Sequence, residues 1–135
     1  MSYTALKREG LEADLELQKR GLVIYTFGNV SQIDRAKGVI AIKPSGVAYE
    51  NMTADDMVIV DLDNQIVEGS MRPSSDTKTH THLYRHFADI GGVTHTHSTY
   101  ATASLGAGPT EVNMWGATLC SPFTIHTFIS CKWHC

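Results

Sequence analysis

His95 and His97 stand on either side of Thr96, at the end of the short β-branched run Gly91-Gly92-Val93-Thr94. Alternate residues of a strand project to the same face, so the two imidazoles leave the strand end side by side. Such a pair suits a divalent metal of the zinc type. The plain alternative is two solvent-exposed histidines in a hairpin. A second group, Ser74-Ser75-Asp76, precedes a predicted helix. Hydroxyls and backbone amides at a helix start attract anions. Asp76 there reads either as a cap or as a carboxylate aimed into a site. Two loops add further polar groups. In Gly28-Asn29, glycine admits a close backbone approach and Asn offers an amide, although a simple turn needs the same residues. Lys43-Pro44-Ser45-Gly46 combines a cation, a rigid ring, a hydroxyl and a glycine, which makes either a phosphate cradle or a β-turn. His80, His82 and His86 lie on the predicted helix, with the last two sharing a face. They read as surface residues, because no acidic partner accompanies them as in an HExxH helix.

The elements that must position these groups follow from local patterning. Residues 3–20 read as a helix with a stripe of Leu11, Leu15 and Leu22 and a C-terminal cap at Gly21. Val23–Phe27 reads as a strand, as does Val39–Ile42. Thr53–Asp56 reads as a capped turn, and Met57–Leu62 with Ile66–Glu68 as a hairpin. A helix capped by Ser74, Ser75 or Asp76 runs to about Ala88, with Leu83, Tyr84 and Phe87 along one side. Ser98 caps a further helix over 98–103. Serial β and α segments joined by short links predict an α/β domain.

The chain has 135 residues and a net charge of -3. That length suits one domain with a real core, and that charge gives no footprint for nucleic acid or an anionic membrane surface. No apolar run reaches membrane-spanning length and no signal pattern opens the sequence, so the expected location is cytoplasmic. Three cysteines, all beyond residue 119, argue against a disulfide framework.

In order along the chain, Gly28-Asn29-Val30-Ser31, Lys43-Pro44-Ser45-Gly46, Met52-Thr53-Ala54-Asp55-Asp56-Met57, Pro73-Ser74-Ser75-Asp76-Thr77 and Gly91 to Ser98 resemble the L-ribulose-5-phosphate 4-epimerase branch of the class II aldolase/adducin-like family. The resemblance covers about residues 3–103. It implies a three-layer α/β/α fold around a central, mainly antiparallel sheet, and a homotetramer with sites at subunit interfaces. It implies one zinc ion per subunit, with His95 and His97 as ligands and Asp76 as the acidic residue of the metal site. Gly28, Asn29, Lys43, Ser45, Gly46, Ser74 and Ser75 match the substrate-binding set, chiefly around the phosphate of a sugar-phosphate substrate. The implied reaction interconverts L-ribulose 5-phosphate and D-xylulose 5-phosphate by retro-aldol cleavage and re-addition. A class II aldolase is the alternative, against which Asp76 counts, since the aldolase branch carries glutamate there. A non-catalytic remnant, as in adducin-like members, is a third possibility.

Beyond Ala103 the resemblance stops. The family's later acid/base aspartate, third zinc histidine and tyrosine have no matching positions, so little turnover is expected of this chain. The composition also changes: only Glu111 and Lys132 are charged, while both tryptophans and every cysteine lie there. Residues 104–135 are therefore expected to be a divergent tail, read as a shifted frame. Its Cys120, His126, Cys131, His134 and Cys135 match no familiar zinc module.

Overall fold

The computed structural model describes residues 2–96, 117–119 and 125–131. The expected helix over 98–103, and His97 with it, lie outside these.

The first helix, α1 (Thr4–Lys19), forms where residues 3–20 predict it. Its end is a Schellman turn. Gly21 takes φ +67°, its N–H donates to the Gln18 carbonyl, and the Leu22 N–H donates to the Leu17 carbonyl. The buried stripe is not the one the leucines suggest. Leu6, Gly10, Asp14 and Leu17 face the sheet, Leu11 and Leu15 flank them, and Leu22 is exposed. At Gly10 the helix runs close to the sheet: a Cβ would stand 3.0 Å from the Met57 methyl and 3.6 Å from Ala41 Cβ, so the methionine tip would have to shift for a larger residue.

The predicted strand Val23–Phe27 is a loop. Tyr25 has φ +56°, and Ile24, Tyr25 and Phe27 are exposed. Among the described residues no strand pairs with this β-branched run, and β1 (Asn29–Asp34) begins only after Gly28. Then come β2 (Val39–Ile42), 3-10 turns at Tyr49–Asn51 and Ala54–Asp56, β3 (Val58–Asp61), β4 (Ile66–Glu68), α2 (Thr77–His86) and β5 (Gly92–Thr96). In the Thr53 turn the Asp56 carboxylate accepts from the Thr53 N–H and hydroxyl at 2.8 and 2.7 Å, the expected cap. Two further strands lie in the expected tail: β6 (Ala117–Leu119) and β7 (Ile125–Cys131).

All seven strands form one antiparallel sheet in the order β4-β3-β2-β1-β5-β7-β6. Its central strands are apolar on both faces because both are covered. Ile33, Ile40, Ile42, Val58, Val60 and Val93 pack with Tyr84 of α2 on one side. Val39, Ala41, Ile59 and Met57 pack with Leu6 of α1 on the other. The result is the expected layered α/β arrangement with an antiparallel sheet. On α2, Tyr84 is fully buried and Leu83 partly so, whereas Phe87 is exposed and outside the expected apolar side.

Candidate functional site

The site grows out of one seam, where β1 and β5 pack under α2. Strand alternation sends Asn29, Ser31 and Ile33 to the α2 side of β1. The register sets Asn29 opposite His95 and Ser31 opposite Val93 on β5. On α2, Asp76, His80 and Tyr84 recur every four residues and so share one face. The two rows meet. Asn29 Nδ2 donates to Asp76 Oδ2 at 2.7 Å and to Ser74 Oγ at 3.1 Å. One step inward, Ser31 Oγ lies 2.7 Å from His80 Nδ1 and 2.9 Å from the Tyr84 oxygen. Tyr84 donates to the Ser31 carbonyl at 2.8 Å. Further in, Ile33 and Val93 begin the apolar core. The seam thus passes from ionic to neutral polar to apolar.

Asp76 stands at the N-cap position of α2, yet its side chain makes no cap bond. The backbone there is held instead by Ser74, whose carbonyl accepts the Thr77 N–H at 3.1 Å and the Thr77 hydroxyl at 2.6 Å. The carboxylate is left to the seam, and its Oδ2 lies 2.8 Å from His95 Nδ1. Burial raises its pKa, but the hydrogen bonds from His95 and Asn29 outweigh that, holding it well below the usual carboxylate range. A carboxylate only accepts, so His95 Nδ1 carries a proton and donates it to Asp76.

His80 is fully buried, contrary to the surface position expected of it. The helical period explains this: four residues after Asp76, it faces the sheet. Burial pushes its pKa down to about 3, against the pull of the Asp76 charge, so the ring is neutral. His82 and His86 are exposed, as expected.

One cavity of about 590 Å³ opens over the outer end of the seam. Gly28, Asn29, Lys43, Ser45, Gly46, Ser74, Ser75, Asp76 and His95 all line it, together with Thr26, Phe27 and Pro44. Groups from three separate loops and from strand β5 therefore converge. Gly28 has φ +80°, and a Cβ there would stand 2.6 Å from Val23 Cγ1 and 2.9 Å from the His95 carbonyl. Ser45 N–H donates to the Arg72 carbonyl and Ser74 N–H to the Lys43 carbonyl, which ties the two serine loops together. Lys43 is only 2% exposed. Its Nζ donates to the Val47 carbonyl at 2.7 Å, with longer contacts to Thr26 at 3.4 Å and Pro44 at 3.5 Å, and it lies 4.8 Å from the Tyr49 ring centroid. Burial pushes its pKa down, opposed by the charge of Asp14. The ammonium therefore clamps the loops that wall the cavity.

Asp14 was not legible as a site-supporting group, except as the one acidic residue inside the buried stripe of α1. It is fully buried and accepts the Val30 N–H at 2.8 Å, next to Asn29 and just where β2 stops pairing with β1. Burial raises its pKa to about 8.

A family model for the class II aldolase and adducin N-terminal domain matches residues 8–121. This chain belongs to that family. Among solved structures, an L-fuculose 1-phosphate aldolase is 35% identical with a TM-score of 0.72, over 76% of this chain and 49% of that one. YgbL of Klebsiella pneumoniae, described as a putative aldolase/epimerase/decarboxylase, is 26% identical with a TM-score of 0.67, over 76% and 49%. An L-fuculose-1-phosphate aldolase of Thermus thermophilus is 28% identical with a TM-score of 0.59, over 73% and 49%. The class II aldolase-type chain described here spans about half the length of these relatives.

The donor set suits a divalent ion of the zinc type. It offers an imidazole whose Nδ1–H is taken by a carboxylate, the usual support for a metal-bound histidine. Among the described residues, no three His, Cys, Asp or Glu side chains converge. Also among the described residues, no helix is long and apolar enough to cross a membrane.

Proposed function

We propose that this chain carries the phosphate-binding and metal-binding half of a zinc-dependent L-ribulose-5-phosphate 4-epimerase. The observation that carries the reading is Asp76 Oδ2, set 2.8 Å from His95 Nδ1 and 2.7 Å from Asn29 Nδ2 on the wall of a cavity that two serine loops close.

Carbon 4 of a ribulose phosphate bears no acidic C–H, so simple deprotonation cannot invert it, and the route that the family resemblance implies breaks and remakes the C3–C4 bond. His95, together with His97 on the family resemblance, would hold a divalent ion, which would supply Lewis-acid stabilisation of the charge that develops on cleavage. Asp76 fixes the His95 tautomer and aim by holding the proton at Nδ1. Asn29 in turn holds Asp76, and its amide nitrogen is spent on Asp76 and Ser74. Ser45, Gly46, Ser74 and Ser75 grip the phosphate, so the two-carbon fragment rotates in place instead of escaping. Lys43 keeps these loops together and places a buried positive charge behind them. The exposed Ile24, Tyr25 and Phe27 beside the cavity support an assembled, homo-oligomeric form.

The second reading is a class II aldolase, which the 35% identity to an L-fuculose 1-phosphate aldolase favours. Asp76 favours the epimerase, because a shorter acid than the aldolase branch's glutamate stands there.

The test is competition binding with the zinc-loaded chain, followed by product analysis. Tighter binding of L-ribulose 5-phosphate than of L-fuculose 1-phosphate, with any turnover giving D-xylulose 5-phosphate, is the expected result. Release of free aldehyde from L-fuculose 1-phosphate assigns the aldolase instead. Failure of both sugar phosphates to bind removes both readings.

A further inference from the structure

We propose that His82 and His86 form a second divalent-metal site, on the solvent face of α2 and independent of His95. The two rings stack at 4.1 Å between centroids with their planes 32° apart. Both side chains are exposed. His86 Nδ1 lies 2.9 Å from the His82 carbonyl oxygen. A carbonyl only accepts, so that nitrogen carries a proton, which leaves Nε2 as the atom that a metal would take. The partner ring stands one helical turn below on the same face.

A zinc-like ion binds imidazole nitrogen at about 2.0–2.1 Å, which sets two adjacent ligands on one ion roughly 3–3.4 Å apart. The rings already stand 4.1 Å apart between centroids, one helical turn apart on one face, the placement that i, i+4 chelation needs. The ligand chemistry is selective. Imidazole suits nickel, copper and zinc, whereas calcium and magnesium require oxygen donors. Among the described residues no third His, Cys, Asp or Glu joins the pair, so water completes the shell. The nearby charges are mixed: Lys78 lies one turn before His82, the Arg85 guanidinium is held by the Leu62 carbonyl and Asp63, and Asp89 follows His86 by three residues. They make the site one of moderate affinity. His80, the third histidine of α2, is buried against Ser31 and takes no part. A bound ion would join the last two turns of α2 and so stiffen its C-terminal end.

The experiment is calorimetric titration of the full chain with Ni2+, chosen because Cu2+ oxidises thiols. His82→Ala, His86→Ala and His95→Asn variants are compared with the parent. Both α2 substitutions lie on an exposed helix face and leave the core intact. The expected result is one Ni2+ equivalent weakened about 10²-fold by either α2 substitution, as loss of a chelate partner predicts, and retained in His95→Asn. In the parent and in His95→Asn, but in neither α2 variant, Ni2+ also raises the melting temperature of the helical circular-dichroism signal. Equal Ni2+ binding in the parent and in His86→Ala overturns the proposal. So does loss of every equivalent on His95→Asn alone.

Discussion

Asp76 and His95 meet at 2.8 Å although nineteen residues and a whole helix separate them. Asp76 sits at the start of α2, where a carboxylate ordinarily caps the helix, and gives that bond up to face β5. The strand ladder puts Asn29 directly opposite His95, so the same carboxylate oxygen gathers both. The acidic group thus acts across the sheet on the imidazole it orients.

Asp76→Asn is expected to weaken Zn2+ binding about 10–100-fold, the usual cost of removing a carboxylate that supports a metal-bound histidine. Chelator-competition titrations of variant and parent measure it. Unchanged Zn2+ affinity in a folded variant means that His95 needs no such support.

Lys43→Met separates a clamp from a phosphate ligand. As a clamp, Lys43 satisfies the Val47 carbonyl and reaches Thr26 and Pro44. Its loss is expected to cost about 1–3 kcal/mol in denaturant unfolding, from buried carbonyls left unpaired. Protease cleavage between residues 23 and 28 should also become faster. Undiminished stability with a large loss of phosphate affinity would show the ammonium acting on the ligand itself.

Gly28→Ala tests the close approach of β1 to β5. The methyl would enter at φ +80°, 2.6 Å from Val23 and 2.9 Å from the His95 carbonyl. A loss of more than about 1 kcal/mol is expected, and Zn2+ affinity should fall with it, because the backbone that moves carries His95. Thermal melts and the same chelator competition report the two effects.

Much of this arrangement is legible in the sequence, and the misses share a cause. The glycine and serine loops, Asp76 and His95 each read alone equally well as turns, a cap or a surface residue, and it is their order along the chain, shared with the family, that singles them out. Val39–Ile42 is legible because its apolar run is continuous and short. Val23–Phe27 has strand composition and, among the described residues, no strand to pair with; composition alone cannot reveal that a neighbour is missing. His80 reads as surface because histidine usually is. Only the spacing Asp76, His80, Tyr84 against Asn29, Ser31 places it inward, and that requires knowing which strand faces the helix. Asp14 escapes for the same reason: leucines off its stripe suggest another buried face for α1. The strands β6 and β7 fall in a stretch with no clear period, where pairing with β5 decides the form.

The seam between β1 and α2 should behave as one unit. Ser31→Ala and Tyr84→Phe each remove part of the same three-residue network. Each is expected to cost about 1–3 kcal/mol, and the double variant should depart from additivity by about 0.5–3 kcal/mol. Urea unfolding of the four proteins closes this cycle, and strict additivity would mean that the contacts act separately.

Asp14 gives the fold a pH dependence of definite sign. Its folded-state pKa is raised to about 8 by burial, against about 3.9 in an unfolded chain. Between those values the folded state holds a proton that the unfolded state has lost. This group's contribution is therefore fully present below about pH 4 and declines as pH rises toward 8, by up to about 1.4 kcal/mol per unit. Asp14→Asn retains the acceptor for the Val30 N–H and removes the titration. Its stability should vary less than the parent's across that range, as urea unfolding at a series of pH values measures.

The central claim is that the Asn29–Asp76–His95 cluster and the serine loops form one metal-dependent sugar-phosphate site. It is tested most directly by titrating L-ribulose 5-phosphate into the chain with and without Zn2+, in the parent and in His95→Asn. The account predicts binding that requires Zn2+ in the parent and is lost in the variant under both conditions. Equal binding in all four titrations would contradict it.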